Sequence, residues 1–340
     1  MDPEKLTINS VTTPVLTVAI PTFNRTQALI TQIKRLLPQL NDPRVYLLVL
    51  NNAGDPNLLN TIRPLVEPIQ GRFYYHSNVA NIGMCANILR TLELAQTSWI
   101  WWLGDDDPIL ADAIKTAFQA IAEADEHTLM IQSGCNHPEI NIHRPQKISS
   151  LSSLSKLCEN SWIISNFLHL SSTIVNRPLA LKYLNVGYHT VYSLGPHVAM
   201  KFVGVRDGLN ILLYPQQMFE SGGYDPQSWS RWKLLFGMTS LIELEGVEQE
   251  LYQSLRSVYR AWLGRPLLIR MLATILRGTD RPSIYWRSYC LRIASVSGFR
   301  RGLLFCSLAL FICPLLKCDW ICSLLKKILG SRKELSSASY

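Results

Sequence analysis

The stretch Trp99-Ile-Trp-Trp-Leu-Gly-Asp-Asp-Asp-Pro108 decides the fold. An aromatic, apolar run with the length of a buried strand stops at three consecutive carboxylates, Asp105, Asp106 and Asp107. Three adjacent like charges repel one another, so a strand that delivers them calls for a compensating cation. A hard divalent ion suits carboxylate oxygens and keeps positions open for phosphate oxygens. A solvated acidic turn opening a helix near Pro108 accounts for the same residues taken alone. The place of the run, after repeated strand–helix alternation, favours a site.

That alternation fills the first 135 residues. Val15–Ile20, Val45–Leu50, Phe73–His76, Trp99–Leu103 and Leu129–Gln132 are short runs rich in β-branched and aromatic residues, and read as strands. Thr26–Leu37, Leu58–Val66, Asn81–Leu94 and Ile109–Ala122 read as the helices between them. Near-continuous apolar strands joined through helices argue for a mostly parallel sheet covered on both faces. Ligands of such sheets bind at the carboxyl ends of the strands. Here the strands end on polar residues: Thr22 and Asn24, Asn51 and Asn52, Ser77 and Asn78, then Asp105 to Asp107.

From about 136 to 235 the pattern loosens, and Trp162–Leu170 and Ile211–Tyr214 fit helix or strand equally well. Beyond 236 the chain reads as helical. Residues 256–333 hold 15 Lys and Arg against Asp280 and Asp319, a net of +13; the whole chain carries +8, which leaves −5 for the rest. The run Gly302–Leu316 has 15 residues without a charge and is broken by Pro314, shorter than the ~18–20 apolar residues of a membrane-spanning helix. Arginines interleaved with Leu and Ile suit a membrane surface better than a nucleic-acid groove, so an anionic membrane surface is expected as a partner and nucleic acid is not.

Other chemistries are disfavoured by what the sequence lacks. It contains no Gly-x-x-x-x-Gly-Lys phosphate loop, Gly-x-Gly-x-x-Gly turn, Gly-x-Ser-x-Gly elbow or His-Glu-x-x-His. The eight cysteines include no Cys-x-x-Cys pair, which disfavours a zinc ribbon or a redox pair. The N-terminus lacks a basic segment followed by an apolar one, so a cytoplasmic protein peripheral to the inner membrane face is expected.

Four motifs in order carry a family resemblance: Leu16-Thr-Val-Ala-Ile-Pro-Thr-Phe-Asn-Arg25, Asn51-Asn-Ala-Gly-Asp55, Asn78-x-x-Asn-x-Gly-x-x-x-Asn87 and Leu103-Gly-Asp-Asp-Asp107. Together they resemble a family-2 glycosyltransferase of the GT-A fold, over about residues 14–135 with a weaker continuation to 235. The resemblance implies an α/β nucleotide-sugar-binding domain with a mostly parallel sheet, divided into a nucleotide half (14–135) and an acceptor half (136–235). A helical, basic, apolar region (236–340) follows. It implies an inverting, metal-dependent transferase that moves a sugar from a nucleotide diphosphate sugar to a lipid-linked or polysaccharide acceptor in cell-surface glycan assembly. A GT-A-fold module that binds nucleotide sugar or a membrane without transfer is the alternative.

The resemblance also assigns residues. Asp107 matches the carboxylate that binds Mn²⁺ or Mg²⁺. Asp105 matches the one that contacts ribose or sugar and is a second metal candidate, and Asp106 assists either. Pro21, Thr22, Asn24 and Arg25 match the loop against the nucleotide. Pro21 also serves as a strand terminator and Asn24 as a helix cap. Asn51-Asn52 stands where relatives carry Asp-Asn, so an uncharged amide would meet the base. Asn81, Gly83 and Asn87 shape the loop and helix above the nucleotide.

An inverting transfer needs a base for the acceptor hydroxyl. Where relatives have an acidic pair opening a helix, this chain has Pro196-His197, which makes His197 the expected base, with Asp207 and Glu220 in reserve. The other histidines, His76, His127, His137, His143, His169 and His189, show no metal-ligand spacing and are expected to be structural. Trp229-Ser-Arg-Trp232, after Gly222-Gly223, resembles an aromatic, basic acceptor-side segment.

Overall fold

The structure is a computed structural model that describes residues 14–136, 142–220, 231–263 and 267–330. Its centre is an eight-stranded sheet in the order β3-β2-β1-β4-β7-β5-β8-β6. The strands are β1 (Leu16–Thr22), β2 (Val45–Asn51), β3 (Phe73–Ser77), β4 (Trp99–Trp102), β5 (Thr128–Gln132), β6 (Gln146–Ile148), β7 (Thr173–Asn176) and β8 (Asn210–Leu213). β3, β2, β1 and β4 are parallel neighbours. β7 runs antiparallel between β4 and β5, β8 is parallel to β5, and β6 closes the edge antiparallel to β8. The strands of residues 14–135 thus run parallel to one another as expected, and those of residues 136–235 are mixed.

Strand alternation sorts the core into two layers. Val18, Ile20, Leu47, Val49, Trp101 and Ile131 join one cluster, under the helices α1 (Thr26–Leu36), α2 (Leu58–Val66) and α4 (Ala113–Ala122). Ala19, Leu48, Ile100, Trp102 and Met130 face the other, under α3 (Met84–Leu94). α1 shows why a helix forms there: Leu29, Gln32, Ile33 and Leu36 repeat on one face and are buried, while Lys34 and Arg35 lie in the last turn.

Two helix starts differ from the sequence reading. α3 begins at Met84 and not at Asn81, because Gly83 adopts a positive φ (85°) that only glycine takes without strain, and Asn81 Oδ1 accepts its N–H. α4 begins at Ala113 and not at Ile109, because Ile109 pairs in a β-bridge with Phe219 and Leu110 N–H donates to Met218 O.

In residues 136–235, α5 (Leu151–Leu157), α6 (Ser161–Leu168), α7 (Arg177–Leu181), α8 (Leu184–His189) and α9 (Pro196–Arg206) precede β8. Trp162–Leu170 therefore resolves mainly as helix and Ile211–Tyr214 mainly as strand. The rest is helical: α10 (Arg231–Met238), α11 (Glu248–Leu263), α12 (Leu267–Gly278), α13 (Pro282–Val296), α14 (Phe299–Leu315) and α15 (Asp319–Gly330). Leu251, Val258, Met271 and Trp286 from these helices share one buried cluster with Trp102 and Met130 of the sheet.

Candidate active site

The carboxyl ends of β1, β2, β3, β4 and β5 lie along one edge of the sheet, and antiparallel β7 begins there. At the end of β1, Thr22 Oγ1 donates to Asp105 Oδ2 (2.7 Å). Asn24 takes a left-handed backbone (φ 55°), which asparagine tolerates better than most residues, and the chain turns into Arg25 at the head of α1. The Arg25 guanidinium forks: Nη1 donates to Asp105 Oδ1 (2.8 Å) and Nη2 pairs with Asp106 Oδ2 (2.9 Å). Asp105 is buried, and burial pushes its carboxyl up to about 6 although Thr22 and Arg25 pull it down.

Asp107 is held differently. Ser171 Oγ donates to Asp107 Oδ2 (2.6 Å), and His169 Nε2 lies 3.8 Å from Asp107 Oδ1. Trp101 fixes Ser171 in turn, donating its indole N–H to Ser171 O (2.8 Å), while Gly104 N–H donates to Ser171 Oγ (2.8 Å). A Cβ at Gly104 would meet Asp107 Oδ2 at 2.7 Å, so a side chain there has to displace that carboxylate. The His169 ring stacks on Phe219 (centroids 4.8 Å apart), which the Ile109–Phe219 bridge holds against the acidic turn. Buried Gln32, on α1, donates to Gly104 O and Asp107 O and ties the turn down from the other side.

The donor chemistry at the turn fits a divalent cation held by few protein ligands. Asp107 and His169 would hold it, and diphosphate oxygens and water would complete a shell of the kind Mg²⁺ and Mn²⁺ prefer. No group of three or more His, Cys, Asp or Glu side chains forms a cage among the described residues, so the remaining ligands would come from substrate. Asp105 does not fit the metal role expected of it. Both its oxygens already accept hydrogen bonds from Thr22 and Arg25, so it belongs to the arginine clamp.

The asparagines form a network. Asn52 Nδ2 donates to Asn81 Oδ1 (2.8 Å), Asn78 Nδ2 donates to Asn52 Oδ1 (3.0 Å) and Asn87 Oδ1 (2.8 Å), and Asn87 Nδ2 donates to Leu50 O (3.2 Å). Asn51 gives its amide protons to Asp55 O and the Tyr75 hydroxyl (3.1 Å each) and accepts from Gly54 N–H (2.9 Å). Its N–H groups are spent on the loop, so Asn51 is not poised to donate to a base as the sequence suggested. Asn51, Asn52, Asn81, Gly83 and Asn87 set the shape of the edge, and Pro21 is the second-last residue of β1 beside it.

The three expected bases separate. His197, at the start of α9, is buried edge-on against Trp102 (centroids 6.2 Å apart), and neither ring nitrogen has a hydrogen-bond partner among the described residues. Burial and nearby Lys201 push its pKa down to about 3. It is a neutral core histidine that an acceptor hydroxyl does not reach, which corrects its expected role. Asp207 caps the far end of α9 just before β8, at the opposite edge of the sheet, and pairs with Arg206 (2.8 Å), so it too is removed from the site. Glu220 is exposed, and its N–H donates to Pro108 O (2.7 Å), one residue beyond Asp107.

Sequence reasoning missed Ser171 and His169. The available signal was a polar cluster just before the apolar run Thr173–Val175, which marks the same sheet edge when that strand is antiparallel. His137, Gly222, Gly223 and Trp229 lie outside the described residues, as do the side chains of Arg231 and Trp232.

Residues 17–175 match the family model described as Glycosyl transferase family 2. A search of curated proteins gives no match. The chain is similar to the crystal structure of Staphylococcus aureus TarS 1–349 at 14% identity and a TM-score of 0.57, covering 94% of this chain and 93% of that one. The same protein in complex with UDP gives 13% identity and a TM-score of 0.58, covering 96% and 94%. The mannosyltransferase PcManGT of Pyrobaculum calidifontis, in complex with GDP-Man and Mn²⁺, gives 11% identity and a TM-score of 0.53, covering 96% and 88%. Over residues 17–175 the chain is thus similar to glycosyl transferase family 2, and its fold is GT-A-like.

Proposed function

We propose that the protein is an inverting glycosyltransferase that moves a sugar from a nucleoside diphosphate sugar to a hydroxyl of a lipid-linked or glycan acceptor in cell-surface glycan assembly. The observation that carries this reading is the grip on Asp107 by Ser171 and His169 at the carboxyl edge of the sheet, inside the segment that matches the family. Nucleotide-sugar complexes of proteins with this fold support it: TarS with UDP-GlcNAc, and PcManGT with GDP-Man and Mn²⁺.

Charge builds on the diphosphate as the bond to the anomeric carbon breaks, and the site must stabilise it. A divalent cation, Mn²⁺ or Mg²⁺, held by Asp107 and His169, supplies that neutralisation when bound. Arg25 keeps Asp105 and Asp106 from repelling the diphosphate, because its guanidinium offsets both carboxylates. Glu220 accepts the proton of the acceptor hydroxyl as the oxygen attacks the anomeric carbon. Of the three candidate bases it alone is both exposed and beside the acidic turn.

A thermal-shift panel of UDP-, GDP-, dTDP- and CDP-sugars, each with and without Mn²⁺, tests the reading, since a ligand that binds the native state raises Tm by mass action. One nucleotide series stabilising the protein only with the metal is the expected result. No shift with any donor under either condition rejects a nucleotide-sugar site.

A further inference from the structure

α14 is apolar on both of its faces. Phe305, Leu308, Ala309, Ile312 and Leu316 pack into the core, mainly against α13. Leu303, Leu304, Leu310, Phe311 and Leu315 are exposed on the opposite stripe, with Phe311 76% accessible. A helix that is apolar all round normally belongs in a protein interior or in lipid. α15 repeats the arrangement, with exposed Trp320, Leu324 and Ile328 spaced four residues apart and Cys322, Leu325 and Leu329 packed inward. Arg300, Arg301, Lys317, Lys326 and Lys327 accompany the exposed stripes against one acid, Asp319, a net of +4 over residues 299–330.

A cleft of about 210 Å³ opens between α11, α13 and α14, lined by Tyr252, Tyr259, Tyr289, Phe305 and two arginines, Arg256 and Arg301. The Arg256 guanidinium lies over the Tyr252 ring (5.6 Å to the centroid). Among the described residues neither arginine is paired with a carboxylate. Leu304, from the exposed stripe of α14, lines the same cleft, so phosphate-seeking and lipid-seeking groups meet at one place.

We propose that α14 and α15 dock on an anionic phospholipid bilayer, with the exposed stripes set into the interface and Arg256 and Arg301 seating a lipid phosphate in the cleft. The bilayer is lain on and not crossed. α14 has 17 residues, about 25 Å of helix against a hydrocarbon core of about 30 Å. No single described helix is long and apolar enough to span, and α14 with α15 reaches that length and apolarity only when taken together across a bend of 112°. Tryptophan and basic side chains at the boundary are the usual partners of headgroups. The inference is independent of glycosyl transfer, since none of the residues placed at the acidic turn belongs to α11–α15.

Co-sedimentation of the full chain with vesicles of phosphatidylcholine, with or without phosphatidylglycerol, tests it. Wild-type protein is expected to pellet with the phosphatidylglycerol vesicles. The Arg256→Gln, Arg301→Gln double variant should lose about thirty-fold in that partitioning, the worth of two basic residues at an anionic surface. Leu310→Ser with Phe311→Ser should weaken binding to both vesicle types. Thermal melting and donor binding in solution, unchanged in all variants, report that the fold and the acidic turn are intact. Wild-type protein staying in the supernatant with anionic vesicles overturns the proposal, as does undiminished binding by the arginine variant. A dimer in light scattering that the Leu310, Phe311 variant dissolves, without vesicle binding, assigns the face to a second copy of the chain.

Discussion

Ser171 Oγ donates a 2.6 Å hydrogen bond to Asp107 Oδ2 across 64 residues of sequence, and that contact orients the carboxylate proposed to meet the metal. A hydrogen bond to a charged group contributes about 1.5–3 kcal/mol. Ser171→Ala is therefore expected to raise the Mn²⁺ concentration needed for half-maximal turnover by on the order of tenfold or more. Metal titration of turnover measures it. An unchanged half-saturation point would show that Ser171 does not orient the ligand.

Gly104 makes the same point from the other side. Its missing side chain is where Asp107 Oδ2 sits, at 2.7 Å from an added Cβ. Gly104→Ala is expected to displace that carboxylate and to cost roughly 10²-fold in turnover, the scale of an ångström of misplacement at a reacting centre. Steady-state kinetics at saturating donor, with Tm as the fold control, check this. Full activity in a folded Gly104→Ala protein contradicts the assigned position of Asp107.

Glu220→Gln is expected to lower turnover by roughly 10²–10⁴-fold while leaving donor affinity in place, the usual worth of a positioned base. His197→Leu is expected to keep turnover within severalfold of wild type and to act on Tm instead, because His197 is buried and unpaired. Transfer assays beside donor titrations separate the two. A turnover collapse in His197→Leu with an unchanged Tm reverses the assignment.

Lys201 predicts a pH dependence of stability. Its ammonium is fully buried and, among the described residues, donates to neutral oxygens: Gln132 Oε1 (2.7 Å), Phe167 O (3.2 Å) and Thr173 Oγ1 (3.3 Å). Burial pushes its pKa down to about 7 from 10.5. Between those values the unfolded chain holds more protons than the native one, so stability from this group rises with pH. Below about 7 the buried charge carries its full desolvation cost. Lys201→Met is therefore expected to raise Tm most near pH 6, with the gain shrinking toward pH 9–10. Tm measured across that range decides it, and a gain that grows with pH would refute the sign.

Residues 14–135 were legible because β1, β2 and β4 are buried on both faces and keep their apolar runs intact. Val45–Leu50 and Leu58–Val66 appear within a residue of where the sequence places them. Helix starts at Asn81 and Ile109 were misread because long-range or left-handed backbone features won over periodicity: the positive φ of Gly83, and the pairing of Ile109 with Phe219. The acidic turn and its partners Thr22 and Arg25 could be read locally, each lying at a strand end. Ser171 and His169 could not, because they reach the site at the start of an antiparallel strand in a stretch with no clear period. His197 was misplaced for a related reason: spacing locates the start of α9 but carries no information on which side chains there are sealed beneath Trp102.

Asp107 is proposed to make nucleotide-sugar use metal-dependent. The most direct test is calorimetric titration of the matching nucleoside diphosphate into wild-type and Asp107→Asn protein, with Mn²⁺ and with a chelator. Wild type is expected to bind the diphosphate tightly only with Mn²⁺, and Asp107→Asn to bind it equally weakly under both conditions with an unchanged Tm. Equal metal-dependent affinity in the two proteins would show that Asp107 does not hold the metal.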